Sequence, residues 1–140
     1  MRDICLEYID IAERLIDTDP DLLYIKNSDC RYTVTQSDRA KTVSGAQILG
    51  ECETVPSKYA FLIPYDFIIT IYEKNIEELD QEQLEILIKH ELLHIGIEYK
   101  SDKEKYYIAP HDIEDFYAII NKHGMQWNVP RGDKGESCNE

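Results

Sequence analysis

The chain has no Cys-x-x-Cys pair. Its four cysteines, Cys5, Cys30, Cys52 and Cys138, are widely scattered, which fits neither a zinc knuckle nor a disulfide framework. Free thiols in a reducing cytoplasm are the simplest reading. No apolar run approaches the length of a membrane span. Acids interrupt the stretch Met1–Glu7, so no signal peptide is read there. Positive charge is scarce as well: 15 Lys and Arg stand against 28 Asp and Glu, a formal net charge of −13. A surface of that sign repels nucleic acid and anionic membranes, so neither is expected as a partner. Internal repeats and linkers are also missing. At 140 residues the chain is long enough for one core and too short for two ordinary domains. We expect a single domain over residues 1–128 and a loose tail, rich in Gly and charge, over 129–140.

Against these absences stands one dense motif, His90-Glu91-Leu92-Leu93-His94. Asp80 is a good helix N-cap, and Gln83, three residues later, completes a capping box. Leu84, Leu87, Ile88, Leu92 and Ile95 recur at helical spacing, and Gly96 is expected to close the helix. On such a helix His90 and His94 project from one face, one turn apart, so their imidazoles can converge on a single ion. Glu91, offset by roughly 100° around the axis, is placed to reach a water on that ion. An uncompensated histidine pair among Ile86, Leu87, Ile88, Leu92 and Leu93 would be costly to bury, whereas a metal-bound pair is satisfied. This is the arrangement of a zinc hydrolase.

A catalytic zinc usually takes three protein ligands. The long metzincin motif would need Gly at 97 and His at 100, where Ile97 and Lys100 stand; that class is excluded. Glu98 lies past the expected helix end. Of the two remaining histidines, His111 opens a segment with Pro110 before it and Asp112, Glu114 and Asp115 in its first turn, the signals of a helix start. Ile113, Phe116, Tyr117 and Ile120 fit an amphipathic helix ending at Gly124. The positive end of the helix dipole favours the neutral imidazole that a metal needs, and the neighbouring acids suit its second nitrogen. His111 is therefore the favoured third ligand, with Glu98 or a neighbouring acid as the alternative. His123, in the last turn of that helix, reads as structural.

The run Ile88–Gly96, followed by His111-Asp112-Ile113-Glu114-Asp115-Phe116 and Lys122-His123-Gly124, resembles the phage metallopeptidase family, short zincin-like proteins encoded in phages and prophages. The likeness is densest from about residue 66 to 124. It implies zinc ligands at His90, His94 and His111, Glu91 as catalytic base, a protein or peptide substrate, and residence in the cytoplasm of a bacterial host. SprT-like zincins share the helix motif but commonly add a basic DNA-binding portion or a zinc ribbon, which this chain lacks.

The remaining residues read as scaffold. Ile4, Cys5, Tyr8, Ile9, Ala12, Leu15 and Ile16 predict a helix over 3–17, ending before Asp19-Pro20. Strands are expected at 31–36, weakly at 43–49 across Gly45, and at 60–63 and 66–72 around Pro64. Residues 106–109 read as a short strand or an ordered loop, and Lys100–Lys105 as a solvated loop. The expected fold is α+β and zincin-like: a small twisted mixed sheet against an N-terminal helix, the His-Glu-x-x-His helix and a C-terminal helix. The expected activity is hydrolysis of peptide bonds by Glu91-assisted attack of water on zinc, with Tyr99, Tyr106 or Tyr107 as candidate oxyanion donors. A non-peptidase zinc hydrolase and a catalytically silent metal-binding interaction protein remain as alternatives.

Overall fold

In the computed structural model, which describes residues 1–111, β1 (Arg2–Ile4) leads directly into α1 (Leu6–Thr18). A 3-10 turn over Pro20–Leu22 and the short α2 (Leu23–Lys26) follow. Then come β2 (Tyr32–Ser37), a tight hairpin of β3 (Thr42–Val43) and β4 (Ala46–Gln47), and β5 (Gly50–Thr54). After β6 (Phe67–Tyr72) come α3 (Gln81–Leu93) and, as the last elements of the described residues, β7 (Ile95–Lys100) and β8 (Lys103–Ile108). The fold is α+β. No helix among the described residues is long and apolar enough to cross a membrane.

The central sheet has the order β1-β2-β6-β5 and is mixed: β2 and β6 are parallel, while both outer pairs are antiparallel. The run Phe-Ile-Ile-Thr-Ile-Tyr of β6 suits its central place, because β-branched and aromatic side chains pack well on a pleated, buried surface. Phe67, Ile69, Ile71 and Val34 share one face and are fully buried. Against that face pack Tyr8, Ile11, Ala12 and Ile16 of α1 and Ile86, Leu87, Ile88 and Leu92 of α3. The opposite face is more polar, with Thr35 donating to the Ile69 carbonyl at 3.2 Å and lying 3.1 Å from the Thr70 hydroxyl.

The N-terminus of α3 is held by the expected capping box. Asp80 Oδ1 accepts from the Gln83 backbone at 2.8 Å, and Gln83 Oε1 accepts from the Asp80 backbone at 3.0 Å. Its other end differs from expectation. The helix stops at Leu93 with His94 as C-cap, and the chain turns straight into β7, so Gly96 is not a helix terminator. Tyr24 Oη instead satisfies the helix end, donating to the Ile95 carbonyl at 2.7 Å and more weakly to Leu92 at 3.4 Å. Gly96 has a different use: a Cβ there would sit 2.5 Å from the Tyr107 ring. Only glycine lets that ring lie across the strand.

Three further expectations are corrected. Residues 60–63 are not a strand; they follow a 3-10 turn over Ser57–Tyr59, with Leu62 and Ile63 both bonding back to the Tyr59 carbonyl, and Phe61 and Leu62 face solvent. The weak strand at 43–49 is the β3–β4 hairpin, broken at Ser44 and Gly45, both at positive φ. The solvated loop at Lys100–Lys105 is the turn of the β7–β8 hairpin, where Ser101 and Asp102 take φ of 52° and 62°. The expected helix over 111–124, its acids Asp112, Glu114 and Asp115, His123, Cys138 and the tail over 129–140 lie outside the described residues.

Candidate metal centre

Two local devices bring three imidazoles together. Helical spacing places His90 and His94 on one face of α3, with ring centroids 5.2 Å apart. The β7–β8 hairpin then returns the chain to the helix end. Ile95 pairs with Ile108, and one residue on, Ala109 N donates to the His94 carbonyl at 2.7 Å. That closure leaves His111 two residues beyond Ala109, the residue bonded to the helix C-cap. Its ring centroid lies 5.0 Å from His90 and 4.6 Å from His94.

The ring of His94 is oriented by the same strand. Its Nδ1 lies 2.7 Å from the Ala109 carbonyl, and a carbonyl only accepts, so Nδ1 carries the proton. Nε2 is then the lone-pair nitrogen that faces the cluster, the outer-shell logic found around metal-ligating histidines. His111 Nε2 lies 3.1 Å from His90 Nε2. Nitrogens each ~2.0–2.1 Å from a tetrahedral zinc sit roughly 3.3 Å apart, so this separation fits a shared ion. Among the described residues the three histidines offer nitrogens all within 4.8 Å of one another. The donor set, three imidazoles, is one that zinc takes in catalytic sites.

Glu91 is buried at 3% exposure beside this cluster. Its neighbour across the cavity is Gly50 on β5, where a Cβ would meet Glu91 Cγ at 3.3 Å, the Thr70 carbonyl at 3.2 Å and Ile71 Cδ1 at 3.1 Å. Glycine at 50 thus lets the strand approach the carboxylate. Gly50→Ala is expected to destabilise by about 1–3 kcal/mol, because its methyl group would crowd Glu91, Thr70 and Ile71. Urea unfolding would check this; wild-type stability would mean that β5 can move away from Glu91 without cost.

The residues weighed as alternatives lie elsewhere. Glu98 is exposed on β7, opposite Lys105. Tyr106 donates to Glu104 at 2.6 Å and Tyr99 lies 3.4 Å from the same carboxylate. Tyr107 covers Gly96, and none of these tyrosines lines the cavity at the histidines.

That cavity, about 310 Å³, reveals residues the sequence did not single out: Lys41, Val43, Ile48, Glu51, Cys52 and Ile108. Lys41 Nζ and Tyr72 Oη both donate to Glu51 Oε2. Burial raises the Glu51 carboxyl, but those two hydrogen bonds and the Lys41 charge outweigh it and hold the group below its ordinary range. Burial, then the nearby Glu91 charge, push the Cys52 thiol well up, so Cys52 is a neutral wall residue, not a thiolate. Lys41 sits in a polar stretch and Glu51 in a strand of low β-propensity; neither carried a sequence signal.

A family model described as "Putative phage metallopeptidase" matches residues 5–131. No curated protein and no solved structure matches the chain.

Proposed function

From the premise that this chain belongs to the phage metallopeptidase family, we propose that it is a zinc-dependent peptidase built as one zincin-like domain. The observation that carries the reading is the convergence of His90, His94 and His111 beside a buried glutamate. His90, His94 and His111 hold the ion. When bound, zinc supplies a Lewis acid for the scissile carbonyl and makes water easier to deprotonate. Glu91 accepts the proton of the attacking water and returns it to the leaving amine. Its low exposure keeps the carboxylate out of bulk water, so that its interactions with reacting groups are stronger. The ring of His94 is held in one tautomer by Ala109, so the ligand set is prepared before substrate arrives.

β5 supports a protein or peptide as substrate. Among the described residues it bonds to β6 on one side only within the sheet, and Gly50, Glu51 and Cys52 line the cavity. An extended peptide adding to that edge would be held through its backbone. Family membership further supports a phage or prophage origin; action in the cytoplasm of a bacterial host is part of the same proposal.

The deciding experiment is elemental analysis of the wild type and of His111→Ala, both purified without a histidine tag. We expect near one zinc per wild-type chain, with the variant clearly depleted after dialysis. Full occupancy in the variant would move the third ligand elsewhere. Absence of zinc from the wild type after reconstitution would overturn the metal site altogether.

A further inference from the structure

We propose that the cavity beside the histidines selects an aliphatic or aromatic side chain of the peptide substrate, and that Val43 and Ile48 on the β3–β4 hairpin set this preference. The inference rests on the peptidase reading and names its substrate class. A net charge of −13 would by itself suggest basic peptides, since acidic surfaces steer cations. The cavity argues otherwise. Its apolar wall comes from Val43, Ile48, Cys52 and Ile108. Val43 is 51% exposed and Ile108 39%, so apolar surface faces water until something covers it. Covering it with an apolar group is favourable.

The charged groups of the wall away from the histidines are already committed to each other. Lys41 and Tyr72 both donate to Glu51, and the other carboxylate of the cavity, Glu91, is buried beside the histidines. A lysine or aspartate packed against Val43 and Ile48 would either break the Lys41–Glu51 pair or lie desolvated among apolar groups, and both are costly. An apolar side chain meets neither penalty. At about 310 Å³ the space is at the small end of ligand sites, which run roughly 300–1,000 Å³. It suits one side chain and the bond beside it.

The wall is also prearranged. Asn75 Nδ2 donates to the Lys41 carbonyl at 2.9 Å and to the Ile48 carbonyl at 2.8 Å, clasping both strands of the hairpin at its base. Ile48 N donates across that base to Lys41 O at 2.9 Å. Asn75 is a positioning residue for the selective wall: it fixes Val43 and Ile48 without reaching the site itself.

The test uses zinc-loaded full chain and capped pentapeptides Gly-Gly-Xaa-Gly-Gly with Xaa Leu, Phe, Ala, Lys or Asp. Binding is read by calorimetry on Glu91→Gln, which needs no turnover, and cleavage is read on the wild type by mass spectrometry. We expect Leu and Phe peptides to bind at least about 10-fold more tightly than Lys or Asp peptides. Val43→Trp, at a half-exposed position that leaves the core intact, should reduce the Leu preference at least about 10-fold relative to an Ala peptide by narrowing the space. Equal or tighter binding of the Lys peptide, or a Leu preference indifferent to Val43→Trp, would overturn the pocket assignment. If Leu peptides bind selectively but the wild type cuts nothing, the pocket stands and the peptidase reading falls.

Discussion

Glu91→Gln is expected to keep its metal and lose roughly 10²–10⁴-fold in kcat/KM on any peptide the wild type cleaves, the span that a positioned general base contributes. The substitution keeps side-chain shape and puts a neutral amide, which cannot accept a proton at neutral pH, in place of the carboxylate. Glu91 is buried against β5, with Gly50 leaving room for its Cγ, so an isosteric amide fits the same space. His90, His94 and His111 are untouched, and the His94–Ala109 contact that orients one ligand comes from the backbone. Metal content and activity should therefore part company in this variant, whereas His90→Ala should lose both together. Paired elemental analysis and steady-state kinetics make the comparison. Unchanged turnover would remove Glu91 from the base role, and loss of metal with activity would make it a support of the ligand set instead.

The elements that the sequence made legible are those whose local signal and tertiary role agree. The capping box at Asp80 and Gln83 marks the start of α3 in sequence and in structure, because its two hydrogen bonds are local. The β-branched runs of β2 and β6 likewise sit where their propensity places them, in the middle of the sheet. β5 was not anticipated: Gly-Glu-Cys-Glu-Thr has little strand propensity, and it is a strand because β6 offers it a ladder. The hairpin β7–β8 follows the same lesson. Ile95, Gly96 and Ile97 continue an apolar pattern that suits either a helix end or a buried strand, and periodicity alone cannot separate the two over so few residues. What decided was long-range: Tyr24 capping the helix end and Tyr107 lying on Gly96. Residues 60–63 carried the reverse error, a strand-like composition with no neighbouring strand to pair.

The candidate centre divides along the same line. The His90–His94 pair is a matter of spacing on one helix and could be read directly. The approach of His111 to that pair depends on the β7–β8 hairpin, which carries no sequence signal of its own, whereas the helix-start argument for His111 falls largely outside the described residues. Lys41 and Glu51 were invisible because they enter the cavity from separate elements and meet only in the folded chain.

Lys89→Met should lower the unfolding free energy by about 3–5 kcal/mol, the usual cost of removing one partner from a buried ion pair. Lys89 precedes His90 on α3 and is 3% exposed. Its ammonium lies 2.9 Å from Asp19 and 2.8 Å from Asp21, joining α3 to the corner between α1 and α2. Asp19 is itself buried, so methionine would leave its carboxylate facing an apolar neighbour; Asp21 is more exposed and contributes less. Burial disfavours the Lys89 charge, but the hydrogen bonds and charges of Asp21 and Asp19 more than offset it and hold the ammonium above its ordinary range. A raised folded value means that this stabilisation is complete below about pH 10.4 and is lost as pH rises through the folded value. Replacing all three residues together, Lys89→Met with Asp19→Asn and Asp21→Asn, should recover much of the loss, because no charge is then stranded. Urea unfolding of the single and triple variants separates the two effects. Zinc provides a further check: a ligand at about 1,000 times its Kd stabilises the folded state by roughly 4 kcal/mol, so metal-loaded Lys89→Met should recover stability if the helix still presents its histidines. A metal-free loss below about 1 kcal/mol would show that the ion pair only balances its own desolvation, and failure of zinc to raise the midpoint would show that the Lys89 tether is needed to hold the ligand face of α3 in place.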